Sequence, residues 1–320
     1  MYQNILVPLD GTLFSERALP LAVMLARATG AKLTLVRAAW SPDRPGLDPM
    51  ASQMWAVREA RTYLDTLAQP LLAQGLTVET AVPFALADAG ILREIEIKHA
   101  DLVVMTSHRK ETAQHKIYGS VAAAVLSGSR VPVLVIRMDE TMVPPPVKPA
   151  APGPHLLVTL DGSSFAEAVL PYAAELARAL QWTIVLLRVL AEPVHPDAYL
   201  ESENEALSYL VSVAAPLRKM GLTVRTEIKT GSAPAVILNE AEALDVGLVA
   251  MATHGETAVR DMLFGSVAME VLRHTPTPLL LIRPANLPSR HPTWEDMVSQ
   301  LDTQPAHEEM ESFGEMVPSH

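Results

Sequence analysis

The stretch Ile5-Leu6-Val7-Pro8-Leu9-Asp10-Gly11-Thr12-Leu13-Phe14 returns 151 positions later as Leu156-Leu157-Val158-Thr159-Leu160-Asp161-Gly162-Ser163-Ser164-Phe165. Each is a short apolar run stopped by an Asp-Gly turn and followed by helical spacing, the pattern of a buried strand feeding a helix. The match continues through Glu16 and Glu167, Leu19 and Leu170, and Pro20 and Pro171. Farther on, Met105-Thr106-Ser107-His108 answers Met251-Ala252-Thr253-His254, and Gly119-Ser120-Val121 answers Gly265-Ser266-Val267, now 146 positions apart, a drift that loop lengths absorb. The copies close with Val131-Pro132-Val133-Leu134-Val135-Ile136-Arg137 and Thr277-Pro278-Leu279-Leu280-Leu281-Ile282-Arg283. Self-similarity on this scale means two copies of one unit.

Working outward within the first copy, strands are expected at 5–8, 32–38, 77–82, 102–105 and 131–136, with helices at 15–28, 51–74 and 89–99 and another after Gly119. Strands alternating with helices of this length need crossover connections and bury both sheet faces, so the fold class is α/β, two doubly wound parallel-sheet, Rossmann-like domains in tandem. The expected division is a first domain at 1–137, a linker at 138–154, a second domain at 155–283 and a tail at 284–320. Prolines crowd the linker around Pro144-Pro145-Pro146 and favour an extended spacer. The tail is acidic and proline-rich and is read as mostly disordered, with Trp294-Glu295-Asp296-Met297-Val298 as its one stretch of helical character.

The composition fits this reading. In 320 residues, 49% are apolar and 19% charged, enough for packed cores and incompatible with a wholly disordered chain. There is no cysteine, which excludes disulfides, thiolate nucleophiles and Cys-ligated metals. A formal charge of -11 gives no global cationic field for a phosphate backbone, so no nucleic-acid partner is expected. The opening Met1-Tyr2-Gln3-Asn4 lacks the basic and long apolar regions of an export signal, and runs such as Leu279-Leu280-Leu281-Ile282 are far shorter than the roughly 20 residues of a membrane span. A cytoplasmic protein without membrane insertion is the expectation.

In open α/β sheets ligands bind beyond the carboxyl ends of the strands, where strand order reverses. Three loops fall there. The Asp-Gly turns at Asp10 and Asp161 read structurally as turn and cap chemistry, Ser164-Phe165-Ala166-Glu167 fitting a capping box, or functionally as a carboxylate for a ribose or a metal ion. The other two loops form one pattern from Ala252 to Ser266. There Gly255 would let backbone approach a phosphate, and Gly265-Ser266 would open a helix whose free N–H groups favour anions. The competing reading makes Gly255 a turn and Ser266 an N-cap. His108 and His254 have no second ligand at metal-site spacing, and no G-x-S-x-G, H-E-x-x-H or Walker A sequence occurs, so no catalytic constellation is assembled.

On the Asp-Gly turns, Met251-Ala252-Thr253-His254-Gly255, Gly265-Ser266-Val267 and the run Val271 to Ile282, the sequence resembles the universal stress protein family, as a tandem of two such domains over nearly all of 1–137 and 155–283. The resemblance implies an adenine nucleotide alpha hydrolase-like fold. Members that bind ATP carry G-x2-G-x9-G-[ST]; the second copy matches at Gly255, Gly265 and Ser266 with Ala252 in place of the first glycine. The first copy has Thr106 and Arg109 at the leading glycines and keeps only Gly119-Ser120; Arg109, Lys110 and Lys116 read there as a solvated basic loop. For the second copy the resemblance implies adenine packing near Val189 and Met251, ribose and phosphate contacts around Asp161, and backbone phosphate contacts at Gly255, Gly265, Ser266 and Val267. Thr159, Leu160 and Ala252 complete that expected set. Glu256 opposes a triphosphate, and Arg260 offsets it.

The function expected is a non-enzymatic stress-response sensor or adaptor. Its ligand is ATP or another adenine nucleotide in the second domain, with or without Mg²⁺. The alternatives are a nucleotide-independent interaction module, and a slow ATPase or self-phosphorylating protein using Asp161 and Ser266. A protein partner of unspecified identity is implied. So is pairing of the closing runs 131–136 and 277–282 within one chain as an internal pseudo-dimer, with a homodimer as the other assembly.

Overall fold

The computed structural model describes residues 2–40, 48–112, 115–138, 155–192, 196–253, 265–284 and 293–303. The first copy runs β1 (Asn4–Pro8), a 3₁₀ turn at Ser15–Arg17, α1 (Ala18–Thr29), β2 (Lys32–Val36), α2 (Pro49–Ala73), β3 (Val78–Ala81), α3 (Ala87–Ile97), β4 (Leu102–Thr112), β5 (His115–Tyr118), α4 (Ser120–Gly128) and β6 (Val133–Met138). The second runs β7 (His155–Thr159), α5 (Ser164–Glu167), α6 (Leu170–Leu180), β8 (Thr183–Leu190), α7 (Pro196–Lys219), β9 (Val224–Thr230), α8 (Ala233–Ala243), β10 (Leu248–Ala252), α9 (Ser266–His274) and β11 (Leu279–Ile282), and is followed by α10 (Trp294–Thr303).

The strands lie in the order β3-β2-β1-β4-β6-β11-β10-β7-β8-β9, with β5 attached to β4. Within this order all neighbours of the same copy pair in parallel, whereas β6 and β11 pair antiparallel, Leu134 opposite Leu280. The two closing runs thus join the copies into one sheet. Each copy reverses direction of winding between its first and fourth parallel strands, at β1/β4 and at β7/β10, which is where a doubly wound sheet opens a crevice.

The alternation of side chains along the strands separates two cores. Ile5, Val7, Leu156, Val158 and Leu280 face one layer with α1, α2, α6 and α7. Leu6, Leu157, Met251, Leu279 and Leu281 face the other with α3, α4, α8 and α9. Both faces being covered explains why the strands read as continuous apolar runs rather than half-polar ones.

Three segments differ from the sequence-based expectation. The strand expected at 102–105 continues to Thr112 and folds back as β5, with Arg109 opposite Tyr118, so the basic segment of the first copy is a hairpin rather than a loop. The tail's stretch of helical character at 294–298 is longer than expected, running to Thr303 as α10, with Trp294 8% exposed and part of the core shared with α6 and α7. One indole burying its full face outweighs the acidic character of the surrounding chain. In α5 the N-cap is Ser163, whose side chain accepts from Ala166 N–H at 3.2 Å, one position ahead of the expected capping box. The linker residues 139–154 and the tail beyond 303 lie outside the described residues.

Candidate functional site

At the β7/β10 reversal the second copy has a cleft of about 150 Å³. Its floor is apolar: Leu187 and Val189 come from β8, Ile237 from α8 and Met251 from the end of β10. Thr159, the last residue of β7, forms the lip with Leu160 and Asp161, while Ala252, the last residue of β10, and Thr253 line the cleft from the neighbouring strand. Gly265, Ser266, Val267 and Ala268, the opening of α9, close the remaining wall. Nine of the ten expected site residues therefore meet in one place; the tenth, Gly255, lies outside the described residues, as do Glu256, Arg260 and His254.

The start of α9 carries no side-chain cap. Its N-cap is Gly265 in extended conformation, and Ser266 is the first helical residue rather than the cap. The leading N–H groups of a helix have no partner inside it, so they and the positive end of its dipole face the cleft. Gly265 N–H itself donates to Thr253 O at 2.7 Å, which fixes the helix start against the end of β10.

Asp161 is exposed, and its Oδ1 accepts from Ser163 N–H at 2.9 Å and from Ser163 Oγ at 2.6 Å. It is the single ionisable side chain among the described residues lining the cleft. Behind the turn lies an arrangement that the sequence reading missed. Gly162 has φ +92, and a Cβ built there would stand 3.1 Å from the Arg188 guanidinium, which itself stacks 5.1 Å from the centre of the Tyr209 ring. Burial, and then the nearby Glu167 carboxylate, push the Tyr209 phenol up; burial likewise raises Glu167. The first copy repeats this with Gly11 at φ +88, Arg37 stacked 4.9 Å over Tyr63, and Tyr63 donating to Glu16 at 3.0 Å. The available signal was Arg188, a lone charge inside the apolar run Thr183-Ile184-Val185-Leu186-Leu187-Arg188-Val189-Leu190, recurring at Arg37 with the 151-residue offset.

The corresponding place in the first copy is built differently. Asp10 and Thr12 repeat the Asp161–Ser163 contacts at 2.9 and 2.6 Å, and Gly119 opens α4 without a side-chain cap. However, β4 stays paired with β6 through Ser107–Arg137 and His108–Met138, two rungs beyond the point where β10 leaves β11. The first copy runs on as a strand where the second copy's β10 ends at Ala252. Thr106 and Arg109, standing where glycines would free the backbone, are compatible with that extension. Ser107 Oγ is buried there without a hydrogen-bond partner.

Comparison with known proteins places this architecture. The model of the universal stress protein family matches residues 1–137 and again 154–283. The chain belongs to the universal stress protein family. It is a tandem member, similar over most of its length to universal stress protein E of Escherichia coli strain K12, at 25% identity over 89% of this chain and 95% of that one. A universal stress protein of Mycolicibacterium smegmatis is 26% identical over 88% of this chain and 97% of its own. Among solved structures, a universal stress protein from Archaeoglobus fulgidus shares the fold with a TM-score of 0.64 at 21% identity, over 88% of this chain and 96% of that chain. Among the described residues of this tandem universal stress protein, no three His, Asp or Glu side chains gather as a metal site, and no helix is long and apolar enough to cross a membrane.

Proposed function

We propose that this universal stress protein is a non-enzymatic sensor or adaptor that binds an adenine nucleotide, ATP or ADP, in its second domain. The observation that carries this reading is the pairing, in one cleft, of an apolar floor with the uncapped start of α9. Val189 and Met251 offer the flat apolar contact a purine takes. The backbone of Gly265, Ser266 and Val267 offers anion contacts, and Asp161 at the lip offers a ribose acceptor. A space of about 150 Å³ is below the volumes usual for sites that enclose a drug-sized molecule, so it suits the base and sugar, with the phosphates lying along α9. Among the described residues the cleft's one carboxylate, Asp161, already accepts two hydrogen bonds from Ser163, which makes it a poor base for hydrolysis.

Calorimetric titration of the full chain with ATP, ADP and AMP tests the proposal. Saturable binding is expected, weakened at least tenfold by Val189→Trp, which fills the floor while leaving the turn intact. Absence of binding at millimolar nucleotide overturns it. In that case the nucleotide-independent interaction module becomes the better reading, favoured by the Ala252 methyl, 8% exposed on the cleft wall where a glycine would leave room.

A further inference from the structure

Beyond Leu160, whose N–H donates to Leu187 O at 2.9 Å, the chain leaves the β7/β8 ladder and turns through Asp161 and Gly162 into α5, a helix of four residues. Within the loop, Ser163 holds the Asp161 side chain. From the neighbouring strand, Arg188 meets the turn. Side chains alternate along β8, so Leu187 and Val189 form the cleft floor while Arg188 leaves the opposite face. Its Cζ, Nη1 and Nη2 each stand 3.1 or 3.2 Å from the point a Gly162 Cβ would occupy, so the planar face of the guanidinium, rather than a single N–H, closes on the turn. The same group stacks on Tyr209 of α7, 5.1 Å from the ring centre. Burial raises the pKa of the Tyr209 phenol, which keeps the ring neutral, a face for the cation and not a counter-charge.

The two copies hold this arginine differently. Glu59-Ala60-Arg61-Thr62-Tyr63-Leu64 on α2 and Glu205-Ala206-Leu207-Ser208-Tyr209-Leu210 on α7 share the pattern E-A-x-x-Y-L. In the first copy Glu59 clamps Arg37 through two contacts of 2.9 Å, in addition to the Tyr63 ring at 4.9 Å. In the second copy Glu205 is exposed, and among the described residues no carboxylate makes an ion pair with Arg188. An arginine has many rotamers to lose, so a fixed guanidinium needs an anchor. Arg37 has two; for Arg188 the anchor is Tyr209.

Resting on the nucleotide reading of the cleft, we propose that Arg188 is a positioning residue for sugar recognition: held by Tyr209, it fixes the Asp161–Gly162 turn so that the Asp161 carboxylate is presented to the hydroxyls of a ribose at the lip. Arg188 is not among the cleft-lining residues and acts through Asp161. Hydrogen bonds between a hydroxyl and a carboxylate hold only over about 2.5–3.0 Å, so a turn that drifts loses the sugar first. The apolar floor at Val189 and Met251 is built on β8 and β10 and does not depend on the turn, so packing of the base survives.

The test titrates the full chain calorimetrically with ATP and with its dideoxy analogue, which lacks both sugar hydroxyls. The ratio of the two dissociation constants reads the sugar contribution, and a partly unfolded sample leaves it unchanged because both ligands lose the same fraction of protein. The wild-type chain is expected to bind the analogue about tenfold more weakly, the worth of one hydrogen bond to a charged group. Arg188→Met should bring the two constants within about twofold of each other by weakening ATP alone, and Tyr209→Leu, which removes the anchor, should do the same. Arg37→Met, the same change in the first copy, should leave the wild-type ratio in place. A wild-type ratio near one overturns the positioning role while the nucleotide reading stands. So does a ratio that survives Arg188→Met because both ligands weaken equally or neither weakens, and so does an equal collapse of the ratio in Arg37→Met. If neither nucleotide binds at millimolar concentration, the nucleotide reading itself falls and takes this inference with it.

Discussion

Gly162 shows how much of the cleft's lip is backbone conformation. At φ +92 it sits where an L side chain is strained, and the Arg188 guanidinium occupies the space a Cβ would need. Gly30, at φ +72 after α1, has the same conformational demand and nothing within 4 Å of a Cβ. Gly30→Ala is therefore expected to cost the backbone component, about 1 kcal/mol. Gly162→Ala should cost about 2 kcal/mol, because displacing Arg188 also loses its stacking on Tyr209, a contact worth about 0.5–1 kcal/mol. Urea midpoints of the two variants decide it, and equal losses would mean the arginine contact adds nothing. At this scale the sequence was partly legible. Asp161, Gly265 and Ser266 announce themselves because turns and helix starts use few residue types, whereas Arg188 does not, since a strand charge looks the same whether it braces a turn or meets solvent. Of the two readings of Ser266, the helix opening fits and the cap does not, because Gly265 holds the extended conformation of a cap without supplying a side chain.

Strands and crossover helices were readable as elements because their periods, two and 3.6, are imposed by burial on both sheet faces. The hairpin β4–β5 was not, since its segment Arg109 to Tyr118 is mixed in polarity and carries no Asn-Gly or Asp-Gly turn signal. Helix α10 was half-legible: Trp294, Met297 and Val298 share a face, yet a short polar helix of ten residues has no stability of its own and exists through docking. Trp294→Ala should therefore release α10 rather than unfold the domain. Amide exchange in 294–303 is expected to lose its protection while β7 and β8 keep theirs. Loss of protection in both would mean α10 is integral to the second core.

The joint at β6 and β11 governs the molecule as a whole. Left alone, each copy would end in an edge strand of apolar residues, Val133 to Ile136 or Leu279 to Ile282, an open template for another chain. Antiparallel pairing covers both edges at once, and Leu134 and Leu280, opposite each other and fully buried, make one core layer continuous from the first copy into the second. Tyr2 reinforces the connection by donating to Tyr172 O at 3.1 Å, and Arg283 by donating to Ser127 O. The matching apolar runs made this joint foreseeable; its register came only with the structure, because four nearly equivalent leucine and isoleucine positions leave several alignments equally apolar. A sheet continuous across both copies makes them one cooperative unit, so heat should unfold the chain in a single calorimetric transition. Leu134→Asp buries an unpaired carboxylate at the centre of the joint, at a cost of several kcal/mol, and should split that transition in two, with the first copy melting earlier. If the wild-type chain already melts in two steps, or if Leu134→Asp lowers one undivided transition, the joint holds the copies together without coupling their stability.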